Sequence, residues 1–143
     1  MVMMVLVAGP YRSGTRDDPR LIEANMRAMN EAALALVRAG CLGITGEAVA
    51  LPLVKLAGSQ AIGDAAWNEF MHPVGGMLAE RCDAVLRIGG PSTGADEMVA
   101  IALANGKRVY YSVDEISLQS PAVDHDGTVA GSPKIGRPAG QPD

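Results

Sequence analysis

The chain has 143 residues, with 16 acidic and 12 basic side chains, a formal net charge of −4 and a pI near 5.1, so it offers no broad basic surface to a nucleic-acid polymer. That length suits one domain with a sizeable core better than two. Hydrophobic residues make up 48% but aromatics only 3%, which builds the core from small aliphatic side chains and methionine and suits helices laid on a sheet.

Val2 to Ala8 is an unbroken apolar run stopped by Gly9-Pro10, the pattern of a central parallel strand covered on both faces. Asp17-Asp18-Pro19 then offers an acidic N-cap followed by proline at the first helical position. Ile22, Met26, Met29, Ala33, Leu36 and Val37 recur at helical spacing up to Gly40, predicting a long amphipathic helix with a glycine stop. Cys41 to Thr45 reads as a short second strand, and Gly46 to Gly58 as an apolar connection, partly helical, that contains Pro52. Ala61 to Cys82 has helical composition, but Pro73 and Gly75-Gly76 predict two helical pieces or one kinked helix. A strand over 83–88, a helix from Gly94 to Asn105 and a strand from Arg108 to Ser112 complete the pattern.

This alternation predicts a doubly wound, mostly parallel sheet in a flavodoxin-like or Rossmann-like three-layer α/β sandwich spanning 1–118. Residues 119–143 are rich in proline and glycine and poor in large apolar side chains, which predicts a mobile tail. The opening apolar run lacks a charged leader and is too short for a signal core or a membrane span. A cytoplasmic protein with no membrane partner is therefore expected, its Cys41 and Cys82 buried as reduced thiols. The small Ala- and Met-rich surface of residues 61–79 adds the expectation of a homo-oligomer, dimer or higher.

Two loops carry the candidate chemistry. Gly9-Pro10-Tyr11-Arg12-Ser13-Gly14-Thr15-Arg16 follows the first strand, and Gly89-Gly90-Pro91-Ser92-Thr93-Gly94 follows the strand over 83–88. In a parallel sheet both open on one edge and face each other across a cleft. Gly9, Arg12, Ser13, Gly14 and Arg16 suit a phosphate, since arginine gives bidentate contacts and glycine exposes backbone. Neither glycine cluster matches the dinucleotide fingerprint or the Walker pattern. With only two histidines, His72 and His125, and no Cys/His cluster, no metal site and no cofactor are expected. Both histidines read as structural or solvated. Glu97, in the first turn after Gly94, complements the helix dipole. Held over a sugar ring near Tyr11 and a second acid, Asp64, it would also serve to attack an anomeric carbon, as in retaining glycoside chemistry. Asp96 reads as a capping or orienting acid.

Val7-Ala8-Gly9-Pro10-Tyr11, Gly63-Asp64 with Trp67, Arg81-Cys82-Asp83-Ala84-Val85-Leu86, Ser92-Thr93-Gly94-Ala95-Asp96-Glu97 and Gly106-Lys107 together resemble the nucleoside 2-deoxyribosyltransferase superfamily. That superfamily includes the deoxynucleoside 5′-monophosphate N-glycosidases, and the likeness runs from about Met3 to Val113. The resemblance implies cleavage or exchange at an N-glycosidic bond of a nucleoside or nucleoside 5′-monophosphate, without a cofactor. Glu97 matches the family's nucleophile, Asp64 the acid that orients base or sugar, and Tyr11 the hydroxyl after the first strand. The resemblance also implies that Arg12, Ser13, Gly14 and Arg16 contact a phosphate opposite Ser92 and Gly94. The turn before Glu97 is one residue shorter than in the usual members, which keeps Asp96 as an alternative reactive acid. Residues 47–64 match poorly, and base specificity would reside there. A non-catalytic nucleotide-sensing module on the same fold is the alternative function, since fold does not fix activity.

Overall fold

The computed structural model describes residues 2–119, so most of the segment over 119–143, expected to be a mobile tail, lies outside the described residues. In chain order the elements are β1 (Met4–Ala8), α1 (Pro19–Arg38), β2 (Leu42–Thr45), α2 (Gly46–Leu56), α3 (Ala65–Arg81), β3 (Ala84–Arg87), α4 (Thr93–Ala104), β4 (Arg108–Tyr110) and α5 (Val113–Gln119). The four strands form one sheet in the order β2-β1-β3-β4, and every neighbouring pair is parallel. The expected α/β sandwich is therefore the fold.

β1 is central because it can be buried on both faces. Val5 and Val7 enter one core with Met29 and Leu36 of α1, Leu86 of β3 and Ile116 of α5. Leu6 and Ala8 enter the other with Ala79 of α3, Val85 of β3, and Met98 and Ala102 of α4. Side chains alternate across a strand, so a run without polar positions needs a helical layer on each side. Cys41 and Cys82 are both buried, as expected.

Local capping agrees with the sequence. Asp18 N-caps α1, its carboxylate accepting from the Arg20 amide at 2.9 Å, and Pro19 opens the helix. Gly40 and Gly106 follow α1 and α4 with φ of +89° and +70°, the left-handed conformation glycine takes without a Cβ penalty.

Two expectations are sharpened and one is revised. The connection after β2 is the helix α2, with Pro52 inside it. Residues 65–81 form one continuous helix in spite of Pro73, Gly75 and Gly76. A Cβ at Gly75 would lie 2.9 Å from Met98 Sδ, so this glycine serves the close approach of α3 to α4 and does not end a helix. β4 also stops at Tyr110, and α5, which the sequence pattern did not predict, seats Ile116 in the core.

Candidate functional site

The chain runs from β1 to β2 on one side and reaches β3 on the other, so the order reverses between β1 and β3. In open parallel sheets the crevice outside the carboxyl ends at such a reversal is the place where ligands bind. A cavity of about 320 Å³ lies there, lined by Gly9, Tyr11, Arg12 and Ser13 after β1 and by Gly46 and Glu47 opening α2. Trp67, Asn68, Met71 and His72 of α3 close another wall, with Ser92, Thr93, Gly94 and Ala95 opposite. The two glycine loops do converge: at Gly89, whose φ is +76°, a Cβ would lie 2.7 Å from Pro10 Cδ.

The loop after β1 is pre-set by its own hydrogen bonds. Buried Thr15 donates its hydroxyl to the Arg12 carbonyl at 2.5 Å and accepts the Asp17 amide at 3.1 Å. Arg16 and Asp17 take positive φ, 50° and 59°. Arg12 donates from Nε and Nη2 to the two Asp17 carboxylate oxygens at 2.7 and 3.0 Å. This fork raises the guanidinium pKa and lowers that of Asp17. Arg12 and Ser13 stand at the cavity, whereas Gly14 and Arg16 are not among the residues lining it. The phosphate-loop expectation therefore narrows to the part nearest β1.

Tyr11 and Trp67 stack with ring centroids 5.8 Å apart and planes 17° from parallel. Both line the cavity, giving it a planar apolar wall suited to a flat ring. Burial, and next the field of Glu47, raise the Tyr11 pKa and keep the phenol protonated.

Asp64 has a different role from the one expected. One oxygen accepts the Trp67 amide at 2.9 Å and the Ser59 hydroxyl at 2.8 Å, and the other accepts the amides of Gln60 at 2.8 Å and Ala61 at 3.2 Å. These bonds, the Trp67 amide foremost, hold its pKa down to about 2, and Asp64 is not among the residues lining the cavity. It N-caps α3 and thereby fixes Trp67, and its oxygens are engaged as acceptors within its own loop and helix. Asp64→Ala is expected to lower Tm by about 4 °C. Because the folded pKa lies below the unfolded value, this contribution is complete above pH ~4 and fades as pH falls towards the folded pKa. The Tm gap between the two proteins, followed by calorimetry, should close over that acid range.

At the other wall Ser92 is buried and N-caps α4, accepting the Ala95 amide at 3.2 Å. Asp96 turns to β3, where its carboxylate accepts Arg87 Nε at 3.1 Å. Asp96 is thus committed to Arg87 and lies outside the cavity lining. Glu97, like Asp96, is not among the residues lining the cavity; its Oε2 lies 3.5 Å from His72 Nδ1, with both side chains a little over half exposed, 56% and 57%. His72 lines the cavity, so the structure ties Glu97 to the site through a histidine that sequence reading set aside. A Cβ at Gly94 would lie 3.2 Å from His72 Cε1, which puts the start of α4 close against that ring.

Glu47 is the acid that sequence reasoning missed. It follows Thr45-Gly46 at the carboxyl end of β2, lines the cavity, and makes no ion pair among the described residues. Desolvation by burial raises its pKa. The available signal was topological, since the end of β2 opens on the same edge as those of β1 and β3.

No protein-family model matches the chain, and no curated protein matches it. Among the described residues no helix is long and apolar enough to cross a membrane, and no group of three His, Cys, Asp or Glu side chains is placed to hold a metal ion.

Proposed function

We propose that the cavity binds a nucleoside or nucleoside 5′-monophosphate and that the protein breaks its N-glycosidic bond, passing the sugar to water or to a second base. The observation that carries this reading is the set of groups meeting where the strand order reverses. A stacked Tyr11–Trp67 pair suits a nucleobase, the Ser92-capped start of α4 offers amide donors, and Glu97 lies against His72, which lines the cavity.

In this reading Glu97 is the nucleophile. A carboxylate oxygen bonds to C1′ while the bond from C1′ to the base nitrogen breaks, its electron pair leaving with the base. His72 holds the Glu97 carboxylate towards the cavity. A water oxygen then attacks C1′, the glycosyl ester opens, and the Glu97 carboxylate is regenerated; attack by a second base in place of water gives transfer. Arg12 and Ser13 are the groups nearest β1 for a 5′-phosphate, and Asp17 supports Arg12 from behind.

Incubation with a panel of deoxyribo- and ribonucleosides and their 5′-monophosphates, followed by chromatography for free base, tests the reading. Base release from at least one class is the expected result. Submicromolar nucleotide binding by calorimetry with no free base after hours would instead identify a non-catalytic nucleotide-sensing module, and neither binding nor release would overturn both.

A further inference from the structure

Breaking an N-glycosidic bond at neutral pH requires a proton for the departing base, because an unprotonated base anion leaves poorly. The residue expected to supply it, Asp64, has both oxygens committed to donors of its own loop and helix. Asp96 is held by Arg87. Glu97 carries the nucleophilic role and cannot also be the acid in the same step. A proton donor must therefore come from another part of the cavity.

Resting on the glycosidic reading above, we infer that Glu47 is the general acid that protonates the departing base and, as a carboxylate, the base that then takes a proton from the attacking water. Its place in the fold supports this. Glu47 sits in the first turn of α2, beyond the carboxyl end of β2, while Glu97 enters from α4, beyond β3. β1 lies between those strands, so Glu47, which lines the cavity, and Glu97, beside the cavity-lining His72, are carried on opposite sides of the central strand, the placement the flanking acids of a glycosidase need.

Their surroundings also differ in the required sense. Glu47 is mostly removed from solvent and has no cation partner among the described residues, whereas Glu97 is more than half exposed and has His72. Burial pushes the Glu47 carboxyl up, and different surroundings are how a pair of acids divides the acid and nucleophile roles. The start of α2 lies against α3, since a Cβ at Gly46 would be in ordinary contact, 3.7 Å, with Gly75 Cα. That packing keeps the Glu47 turn against the cavity.

The proton balance closes. Glu47 gives its proton to the base nitrogen as C1′ passes to Glu97, and regains one from water as the glycosyl ester is hydrolysed. The chargeable groups sharing the cavity are Tyr11 and the Asp17-paired Arg12 from the loop after β1, and His72 from α3, with Glu97 beside it on α4. An acid must be protonated to act, so the rate should fall as pH rises through the Glu47 titration, and that alkaline limb should belong to Glu47 and not to His72.

The test uses whichever panel nucleotide the wild-type protein turns over fastest, with kcat measured from pH 4.5 to 9 for wild type, Glu47→Gln, Glu47→Asp and His72→Gln. Glu47→Gln should lose about 10²-fold or more in kcat at the wild-type optimum and lose the alkaline limb. Glu47→Asp should recover part of the rate together with the limb, and His72→Gln should keep the limb. Thermal melts within about 3 °C of wild type would show that the fold is retained. Wild-type turnover with an unchanged rate and profile in Glu47→Gln overturns the inference while leaving the glycosidic reading standing. A uniform loss in Glu47→Gln with the limb preserved does the same. No turnover of any panel nucleotide by the wild type overturns the reading itself, and the inference with it.

Discussion

Glu97→Gln is expected to lower base release by ~10³-fold or more while leaving the melting temperature almost unchanged. The size of the loss follows from the lack of a substitute among the neighbouring acids: Asp96 is paired with Arg87 at 3.1 Å, and the oxygens of Asp64 are occupied by the Trp67, Gln60 and Ala61 amides and the Ser59 hydroxyl, while Glu47 stands on the far side of β1. Neither Asp96 nor Asp64 can turn to the cavity without abandoning those partners. The small stability effect follows from exposure, because the His72–Glu97 contact at 3.5 Å is between side chains more than half in solvent. Such contacts contribute at most about 1 kcal/mol. Chromatographic base release and a melt on the same preparation check both halves, and a rate within twofold of wild type would remove Glu97 from the nucleophile's role.

Leu86→Ala should have the largest effect on the fold. Leu86 is fully buried in β3, between β1 and β4, and packs in the core that Val7, Met29, Tyr110 and Ile116 also form. Removing its outer carbons loses transfer free energy and leaves a cavity that a sheet paired on both sides cannot collapse to fill. A loss of about 3–4 kcal/mol is expected, or roughly 10 °C in Tm. Leu103→Ala is the contrast, since Leu103 is 61% exposed on α4 and should change stability by less than about 0.5 kcal/mol. Urea titration of both variants measures the difference, and equal midpoints would contradict the layering of the core. A loss in Leu86→Ala would also reach the site, because β3 leads directly into the glycine turn that ends in Ser92 and starts α4, the helix carrying Glu97.

Much of this architecture is readable in the chain because it is written in local chemistry. An apolar run without polar positions, Val5 to Ala8, can only be a strand covered on both faces. Asp18-Pro19 starts a helix, and Gly40 and Gly106 stop two, through bonds and dihedral angles that involve only their own neighbours. The facing of the two glycine loops also follows from parallel strands alone.

Packing decided the rest. Pro73 costs α3 a backbone hydrogen bond, yet burial of Gly75 and Ala79 against neighbouring layers holds the helix through it. Gly75 looked like a break because its reason, the approach of Met98, comes from an element more than twenty residues away. The acids divide on the same principle. Sequence shows that Asp64, Asp96 and Glu97 lie beside glycine turns, but which carboxylate is consumed as a cap, paired with an arginine or set against the cavity-lining His72 depends on neighbours brought in by the fold. Glu47 had no local signature, because a carboxyl becomes a cavity acid only when distant elements close around it and remove its water. The sequence by itself determined the strands, the capped helices and the edge on which a site would open; the tertiary structure alone decided which side chains share that site, since desolvation and partner choice are properties of distance in space.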